Sequence, residues 1–548
     1  MAGFRVYPVD DSPFWAISVP YWSAKLNAAA RAIPGTHWNG KVRAHVGYPD
    51  AIEQVVARLR AEGLTSDDPP VRDETFAHNL PVAYEGSRDY QRTGIDFCIV
   101  NATSGALLAD DMGIGKSHQA TKAARALRRK TIIVCPAHVR GVWERPKTLG
   151  DAGGELAKWW PAASVFKPYG LKPKTIPEGI DVVVIHYDII HAWVDVLLAW
   201  ADGDLTIIFD EAHVLLNATS RRSKACKTLA HAARGRIALT GTPPTDRVRD
   251  AYNIVDTISP GRFGDFFPFG IRYCDGHKID VKVAGGMMKT VWTFDGKSRL
   301  DELRTRLNWF MLRRTKREVL KELPALTRQV VDVEVPASRR TATLASIVGD
   351  KKRMRAALDS AADGKIKHVL ALVKDHLEAG QRVVVGTYRR AVCEQIASSL
   401  EELAPTRFIH GGVPLPRRGK IIDDLRKVDG ACCLVANIDA TSTGIDLTFA
   451  SVAVIAELVW EPRDLVQFEA RLHRFGAELP VLVQYVIARG TGDELIAYGV
   501  VNKLDNFLGL VENDGGDGLK EAFAGDKDEG LGRLAAELKK MGQREAQE

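Results

Sequence analysis

The stretch 105–120, GALLADDMGIGKSHQA, constrains this chain most. A short apolar run enters a glycine-containing turn and leaves as a helix that starts near Lys116. Gly113 and Gly115 let the backbone curl until its N–H groups face one point. The positive end of the helix adds to that nest, so the turn can hold phosphates. Lys116 would then bring a mobile charge to the β- and γ-phosphates, and Ser117 a hydroxyl to Mg²⁺. The strict phosphate-loop pattern asks for glycine where this chain has Asp110. A glycine-rich strand-to-helix turn with no ligand would share several of these features.

A second element narrows the choice. LTIIFDEAH, 205–213, reads as a buried strand ending in two acids. A carboxylate at the C-terminal edge of such a strand, opposite a phosphate loop, can hold Mg²⁺, which points to Asp210. Its neighbour Glu211 can orient and deprotonate an attacking water. The bland alternative is an ordinary helix start, where acids suit the helix dipole. A third element is Arg471-Leu-His-Arg474, preceded by Gln467. Alone it is a basic helix face, but arginines presented to a γ-phosphate can neutralise the charge that develops there.

Around these elements, short β-branched runs alternate with helical stretches. The runs 131–135, 182–185, 206–209 and 237–239 form one set; 382–386, 432–436, 452–456 and 481–487 form another. Continuous apolar strands between helices imply parallel sheets covered on both faces, so the fold class is α/β with two lobes. The expected domains are an N-terminal accessory unit at 1–75, a first lobe at 76–330 with an inserted basic, less regular stretch from about 246, a second lobe at 331–510, and a tail at 511–548. The aromatic-rich N-terminal unit ends in the amphipathic AIEQVVARLRAEG, and the polar connector TSDDPPVRDE follows it.

Charge fits a polyanionic partner. The chain carries +6, but the tail holds ten acids and six bases, so the body carries +10. No run approaches the roughly 20 apolar residues of a membrane span, and no secretory signal opens the chain. The seven cysteines form no C-x-x-C pair and read as small buried hydrophobes in a reducing compartment.

The motifs LLADDMGIGKS, IIVCPAHVRGVW, IIFDEAH, ALTGTPP, FMLRRTKREVLKELP, ATSTGIDLT and QFEARLHRFG follow one another in that order. Together they resemble the Swi/Snf family of DNA-dependent ATPases in helicase superfamily two, over about 85–510. The style of AELVWEPRDLVQFEARLHRFG and YVIARGTGDELI is that of the HARP-type annealing helicases. The resemblance implies two RecA-like lobes with a helical family-specific insertion, ATP and Mg²⁺ as cofactors, and DNA as the partner. Residue by residue, it makes Gln91 the reader of adenine, Lys116 and Ser117 the phosphate and Mg²⁺ ligands, and Asp210 and Glu211 the metal ligand and catalytic acid. His213, Thr240 and Thr242 become coupling residues. Gly444 and Asp446 fall in a motif touching nucleic acid and nucleotide, with Gln467 on the nucleotide side. Arg471 and Arg474 become arginine fingers. Pro136 to Arg140, His186, Tyr187 and Thr441 fall where the family grips nucleic acid, and the basic run Arg313, Arg314, Lys316, Arg317 either supplements that grip or braces acidic surface.

Two departures stand out: Gly476-Ala477 replaces the usual G-Q, and ATSTGIDLT lacks the double glycine of many relatives. The segment 25–49 is similar to a small HARP domain, with a generic accessory domain as the alternative. The expected activity is ATP-driven translocation on duplex, fork or branched DNA, with remodelling or annealing in replication, recombination or repair. An RNA-directed motor, or a nucleic-acid scaffold with a structural ATP site, are the competing readings. The expected setting is a monomer in a bacterial or phage-infected cytoplasm, or in the nucleus if eukaryotic.

Overall fold

The computed structural model describes residues 84–144, 153–241, 248–282, 287–339, 351–441, 445–497 and 499–500, together with four strands and four helical positions between 5 and 59. The chain divides into two compact units, Met1–Asp111 with Gly115–Thr315, and Lys316–Glu548 with the short piece Met112–Ile114.

The first unit begins with β1 (Arg5–Pro8), β2 (Trp15–Ser18), β3 (Thr36–Asn39) and β4 (Ala44–Gly47). They form an antiparallel sheet in the order β1-β2-β4-β3. Ile52, Val55, Val56 and Leu59 are buried helical positions. Their spacing is that of one helix face, as the amphipathic segment predicts.

The first lobe's strands are β5 (Ala106–Leu108), β6 (Lys130–Cys135), β7 (Val165–Phe166), β8 (Val182–His186), β9 (Leu205–Phe209) and β10 (Gly235–Leu239). A separate hairpin follows, β11 (His277–Lys282) and β12 (Met288–Thr293), and then the short β13 (Met311–Leu312). The main sheet runs β13-β5-β10-β9-β6-β8-β7, every pairing parallel. Parallel pairing brings all the strand C-termini to one edge, where α/β sheets place their ligands.

The second unit carries β14 (Leu326–Val333), β15 (Arg382–Thr387), β16 (Thr406–Ile409), β17 (Cys432–Asn437), β18 (Val452–Ile455) and β19 (Val481–Ala488). Its parallel order is β14-β19-β18-β15-β17-β16. Alternate residues of each central strand enter different cores. Val384, Leu434, Ala453 and Val483 pack in one; Val383, Val385, Cys433 and Val454 pack in the other. That is why these strands read as unbroken apolar runs: both faces are buried.

Two expectations shift. The inserted stretch is not purely helical, because the hairpin β11–β12 sits between the helices Phe266–Tyr273 and Leu300–Leu307. The second lobe also starts before 331. β14, LTRQVVDV, is an edge strand that alternates exposed and covered residues, so it lacks the continuous apolar signature of the central strands. All seven cysteines are buried free thiols. Among the described residues, no helix is long and apolar enough to cross a membrane.

The helix Pro462–Leu472 is tied to the second sheet by a buried carboxylate. Glu469 accepts bonds from Arg328 Nε and Nη2 at 2.8 and 2.7 Å, and from the Tyr485 hydroxyl. Removing one partner of a buried pair leaves the other charge poorly compensated, at a cost of about 3–5 kcal/mol. Glu469→Ala should therefore lower the urea midpoint of the full chain clearly, while a joint Arg328→Met/Glu469→Leu replacement should cost less. A midpoint unchanged by Glu469→Ala would show that the pair does not hold the helix.

Candidate active site

β5 ends at the turn 109–115, and the helix Lys116–Leu127 starts directly after it. Gly113 and Gly115 have φ of +86° and +92°, a region that side-chain-bearing residues seldom adopt. At 115 a Cβ would also lie 2.6 Å from Gln91 Nε2, so that side chain would have to shift. Gln91, on the helix Asp89–Asn101, thus lies against the phosphate turn, its Oε1 accepting from the Arg88 N–H at 3.0 Å. Lys116 Nζ folds back on the turn and donates to the carbonyls of Asp110 and Asp111 at 2.8 and 3.1 Å. Burial pushes its pKa below the ordinary lysine range, and the charges of Glu211, Asp110 and Asp111 oppose that shift. Ser117 is the next residue of the same helix.

Asp210 and Glu211 follow β9 at the same sheet edge. Asp210 is buried, and three groups fix it. Trp143 Nε1 donates to Oδ2 at 2.7 Å, the Glu211 N–H donates to Oδ1 at 3.0 Å, and the Tyr187 hydroxyl donates to the backbone carbonyl at 2.9 Å. Burial, then the neighbouring Glu211 charge, lifts the Asp210 carboxyl to about 7; the Trp143 bond and Lys116 pull the other way. Glu211 itself is held at φ +51°, ψ +55°, where a non-glycine residue is strained. Its Oε2 lies 3.2 Å from His213 Nδ1. Thr240 is buried directly after β10, its N–H donating to the Leu108 carbonyl at 3.1 Å; Thr242 lies outside the described residues.

Asp110 explains why glycine is missing from its position in the loop. It is fully buried, and Arg314 clamps it at 3.0 and 2.5 Å while also reaching Gln119 at 2.9 Å and the Tyr90 carbonyl. Arg313 pairs with Asp111 at 2.8 Å. Arg313 and Arg314 follow β13 outside any helix, and the helical turn Lys316–Val319 starts after them. Both guanidinia meet acids of the turn, the bracing contact that was one of the two sequence readings. Three other residues of the expected nucleic-acid set are buried and have internal partners. Tyr187 supports Asp210. Arg140 is buried against Glu144 at 2.8 Å, its guanidinium 4.2 Å from the Tyr169 ring centroid. Thr441 is buried, its hydroxyl donating to the Ile438 carbonyl at 2.7 Å. Pro136 and His186 remain half-buried, Pro136 directly after β6 and His186 at the end of β8. Arginine and tyrosine next to a motif suggest phosphate contacts; here nearby acids and carbonyls claim them first.

In the second unit, Arg471 lies in the last turn of the helix that carries Gln467, and its carbonyl accepts from the Leu447 N–H at 3.0 Å. That bond joins the arginine motif to the segment holding Asp446. Burial would raise the Asp446 carboxyl, but bonds from Thr448 and the charges of Arg474 and Arg426 outweigh it and hold the group low. Gly444 lies outside the described residues. Sequence reasoning assigned no role to Trp143; the motif IIVCPAHVRGVW contains it, but only the fold puts its indole on the Asp210 carboxylate.

A parallel α/β unit with a phosphate turn and a strand-end acid pair, followed by a second parallel α/β unit with an arginine motif, is the chassis of a helicase-type nucleoside triphosphatase. A family model described as the SNF2-related domain matches residues 90–386, and the helicase conserved C-terminal domain matches 364–476. The chain belongs to the SNF2-related family. It is 30% identical, over 74% of its length, to the SWI/SNF-related matrix-associated actin-dependent regulator of chromatin subfamily A-like protein 1 of Xenopus tropicalis. It is 28% identical, over 80% of its length, to the DNA annealing helicase and endonuclease ZRANB3 of Mus musculus. The alignments cover 43% and 42% of those relatives, so the chain spans about two fifths of their length. The SWI2/SNF2 ATPase core of Sulfolobus solfataricus, solved in complex with dsDNA, aligns at 20% identity and TM-score 0.37, covering 78% of this chain and 97% of that one.

Folding raises the Asp210 carboxyl from about 4 to about 7, so the folded lobe binds that proton more tightly than the unfolded chain does. The group's contribution to stability is full below about pH 4 and is lost as pH rises to about 7. Without nucleotide, the Tm of Asp210→Asn relative to wild type should therefore climb between pH 5 and pH 8. A constant difference over that window would contradict the assignment.

Proposed function

We propose that the chain is an ATP-dependent DNA translocase that hydrolyses ATP in response to DNA and remodels or anneals duplex, fork or branched DNA in replication, recombination or repair. The observation that carries this reading is the convergence of the Lys116 turn and the Asp210–Glu211 pair at one edge of the first sheet, in a chain of the SNF2-related family. Two relatives of that family are named as a regulator of chromatin and a DNA annealing helicase.

In this reading Lys116 holds the β- and γ-phosphates, the turn's N–H groups cradle them, and Gln91 reads adenine. Ser117 and Asp210 hold Mg²⁺. The donor set fits that ion, a hydroxyl and a carboxylate beside a phosphate cradle, and when bound it supplies positive charge to the phosphate oxygens. Glu211 orients the attacking water and takes its proton, with His213 against it. Thr240 and Thr242 relay the nucleotide state, as do Gly444 and Asp446 in the second lobe. Arg471 and Arg474, with Gln467 near them, neutralise the charge that develops on the γ-phosphate. Pro136 and His186 mark the first lobe's contact with a phosphate backbone. Such contacts carry little sequence information, so tracking is sequence-independent and weakens with salt. The four-stranded N-terminal unit serves as a DNA-binding accessory domain.

The test is steady-state ATP hydrolysis with duplex, single-stranded DNA, a model fork and RNA. Duplex or fork should stimulate turnover strongly, and less so as salt is raised. Lys116→Ala and Glu211→Gln should abolish turnover and keep DNA binding. Stimulation by RNA alone, or loss of DNA binding in both folded variants, would contradict the reading.

A further inference from the structure

One surface of the first unit is out of keeping with the rest. Phe267, Ile271, Ile279, Met287, Met288 and Trp292 are all exposed, and all belong to the hairpin β11–β12 or to the helix Phe266–Tyr273 beside it. Exposed apolar groups clustered in this way mark a binding surface. The root of the hairpin is firm. Trp292 and Phe294 lie parallel with centroids 6.0 Å apart, Phe267 meets Trp292 edge-on at 4.9 Å, and Phe266 meets Phe294 at 5.2 Å. A two-stranded ribbon alone is marginal in water, and this aromatic root is what anchors it. Met287 and Met288, at the start of β12, are 68% and 64% exposed.

Charge identifies the occupant. Lys278 stands opposite Trp292 in the ladder, with its ammonium 5.7 Å from the ring centroid. Lys289 is exposed one pairing step from Met288. The two strands hold three lysines and one acid, Asp280, which is engaged by the Thr290 hydroxyl at 2.6 Å. Protein-docking cores are rich in aromatics and methionine but poor in lysine. Aromatic rings interleaved with lysines suit nucleic acid instead. Bases stack on any exposed ring without regard to sequence, and lysines draw in the phosphates between them. Duplex DNA keeps its bases stacked inside, so only an unpaired stretch can use these rings.

We propose that the hairpin β11–β12 is a stacking platform for unpaired bases, holding the single-stranded arm where a duplex opens. The proposal rests on the DNA-motor reading and adds to it a preference for junctions over plain duplex. That preference resides in Trp292, Phe267, Lys278 and Lys289, outside the ATP site.

The test uses the full chain and fluorescence anisotropy with two labelled DNAs, a blunt duplex and the same duplex with unpaired arms. Wild type should prefer the forked DNA. Phe267→Ala/Trp292→Ala should lose roughly ten-fold in affinity for the fork and stay within two-fold on the blunt duplex. Lys278→Glu/Lys289→Glu, which leaves the aromatic root intact, should show the same selective loss. Trp292→Phe, which keeps a ring, should retain most of the preference. Fork affinity unchanged in both double variants overturns the proposal, and so does an equal loss on both DNAs. A shift from dimer to monomer in the aromatic variant, seen by sedimentation, would assign the patch to a second copy and overturn it as well. If wild type binds neither DNA, the motor reading itself fails; if it binds both and the variants change nothing, only the platform fails.

Discussion

The first lobe depends on a carboxylate buried at the end of β9. Taking the Asp210 charge out of water is costly unless it is compensated. The fold compensates it in part, through the Trp143 indole and the Glu211 N–H, with the Tyr187 hydroxyl bracing the backbone beneath. What remains shows as a carboxyl lifted to about 7. The Mg²⁺ proposed for this site would relieve that cost. Much of the local architecture follows from supplying those partners. The helix Arg140–Glu144 exists at its position to carry Trp143, and the Arg140–Glu144 pair closes that short helix. The same economy explains Arg314, which neutralises Asp110 beneath the phosphate turn and ties the turn to two helices. Gly94 lets those helices meet, since a Cβ there would fall 1.7 Å from Gln119 Oε1.

The second lobe solves a similar problem with a structural carboxylate. Glu469 is buried on the helix that presents Arg471, and Arg328 and Tyr485 fix it from two neighbouring strands. His473, between the two arginines of the motif, is pinned as well, its Nε2 2.8 Å from the Pro324 carbonyl. For the phosphate-facing role proposed for Arg471 and Arg474, a rigid base is an advantage, because loosely held groups lose orientation. Glu469 and His473, on either side of Arg471, anchor that stretch of the motif.

The sequence made the layered fold legible because its central strands are buried on both faces. All eight expected central strands are present, each within about a residue or two of its expected bounds. The turn at 109–115 and the acid pair stood out for a different reason: a few backbone and side-chain requirements leave little freedom in residue type. The edge strand β14 escaped, since half of its side chains face solvent and its composition is mixed. The intramolecular partners of the basic and polar motif residues were the least legible part. Arg313, Arg314, Arg140, Tyr187 and Thr441 have the right chemistry, but partners far away in sequence, such as Asp110 at 204 residues from Arg314, decide which way they face. Trp143 escaped for that reason too, its acceptor lying 67 residues on.

The central claim is that turnover at this site drives the chain along duplex DNA. Triplex displacement measures that most directly: a labelled third strand is annealed to one end of a long duplex and its release is followed as the protein works. The account expects release that needs hydrolysable ATP, is delayed in proportion to the length of duplex ahead of the triplex, and vanishes in Glu211→Gln. DNA-stimulated ATP hydrolysis with no release of the third strand would contradict it.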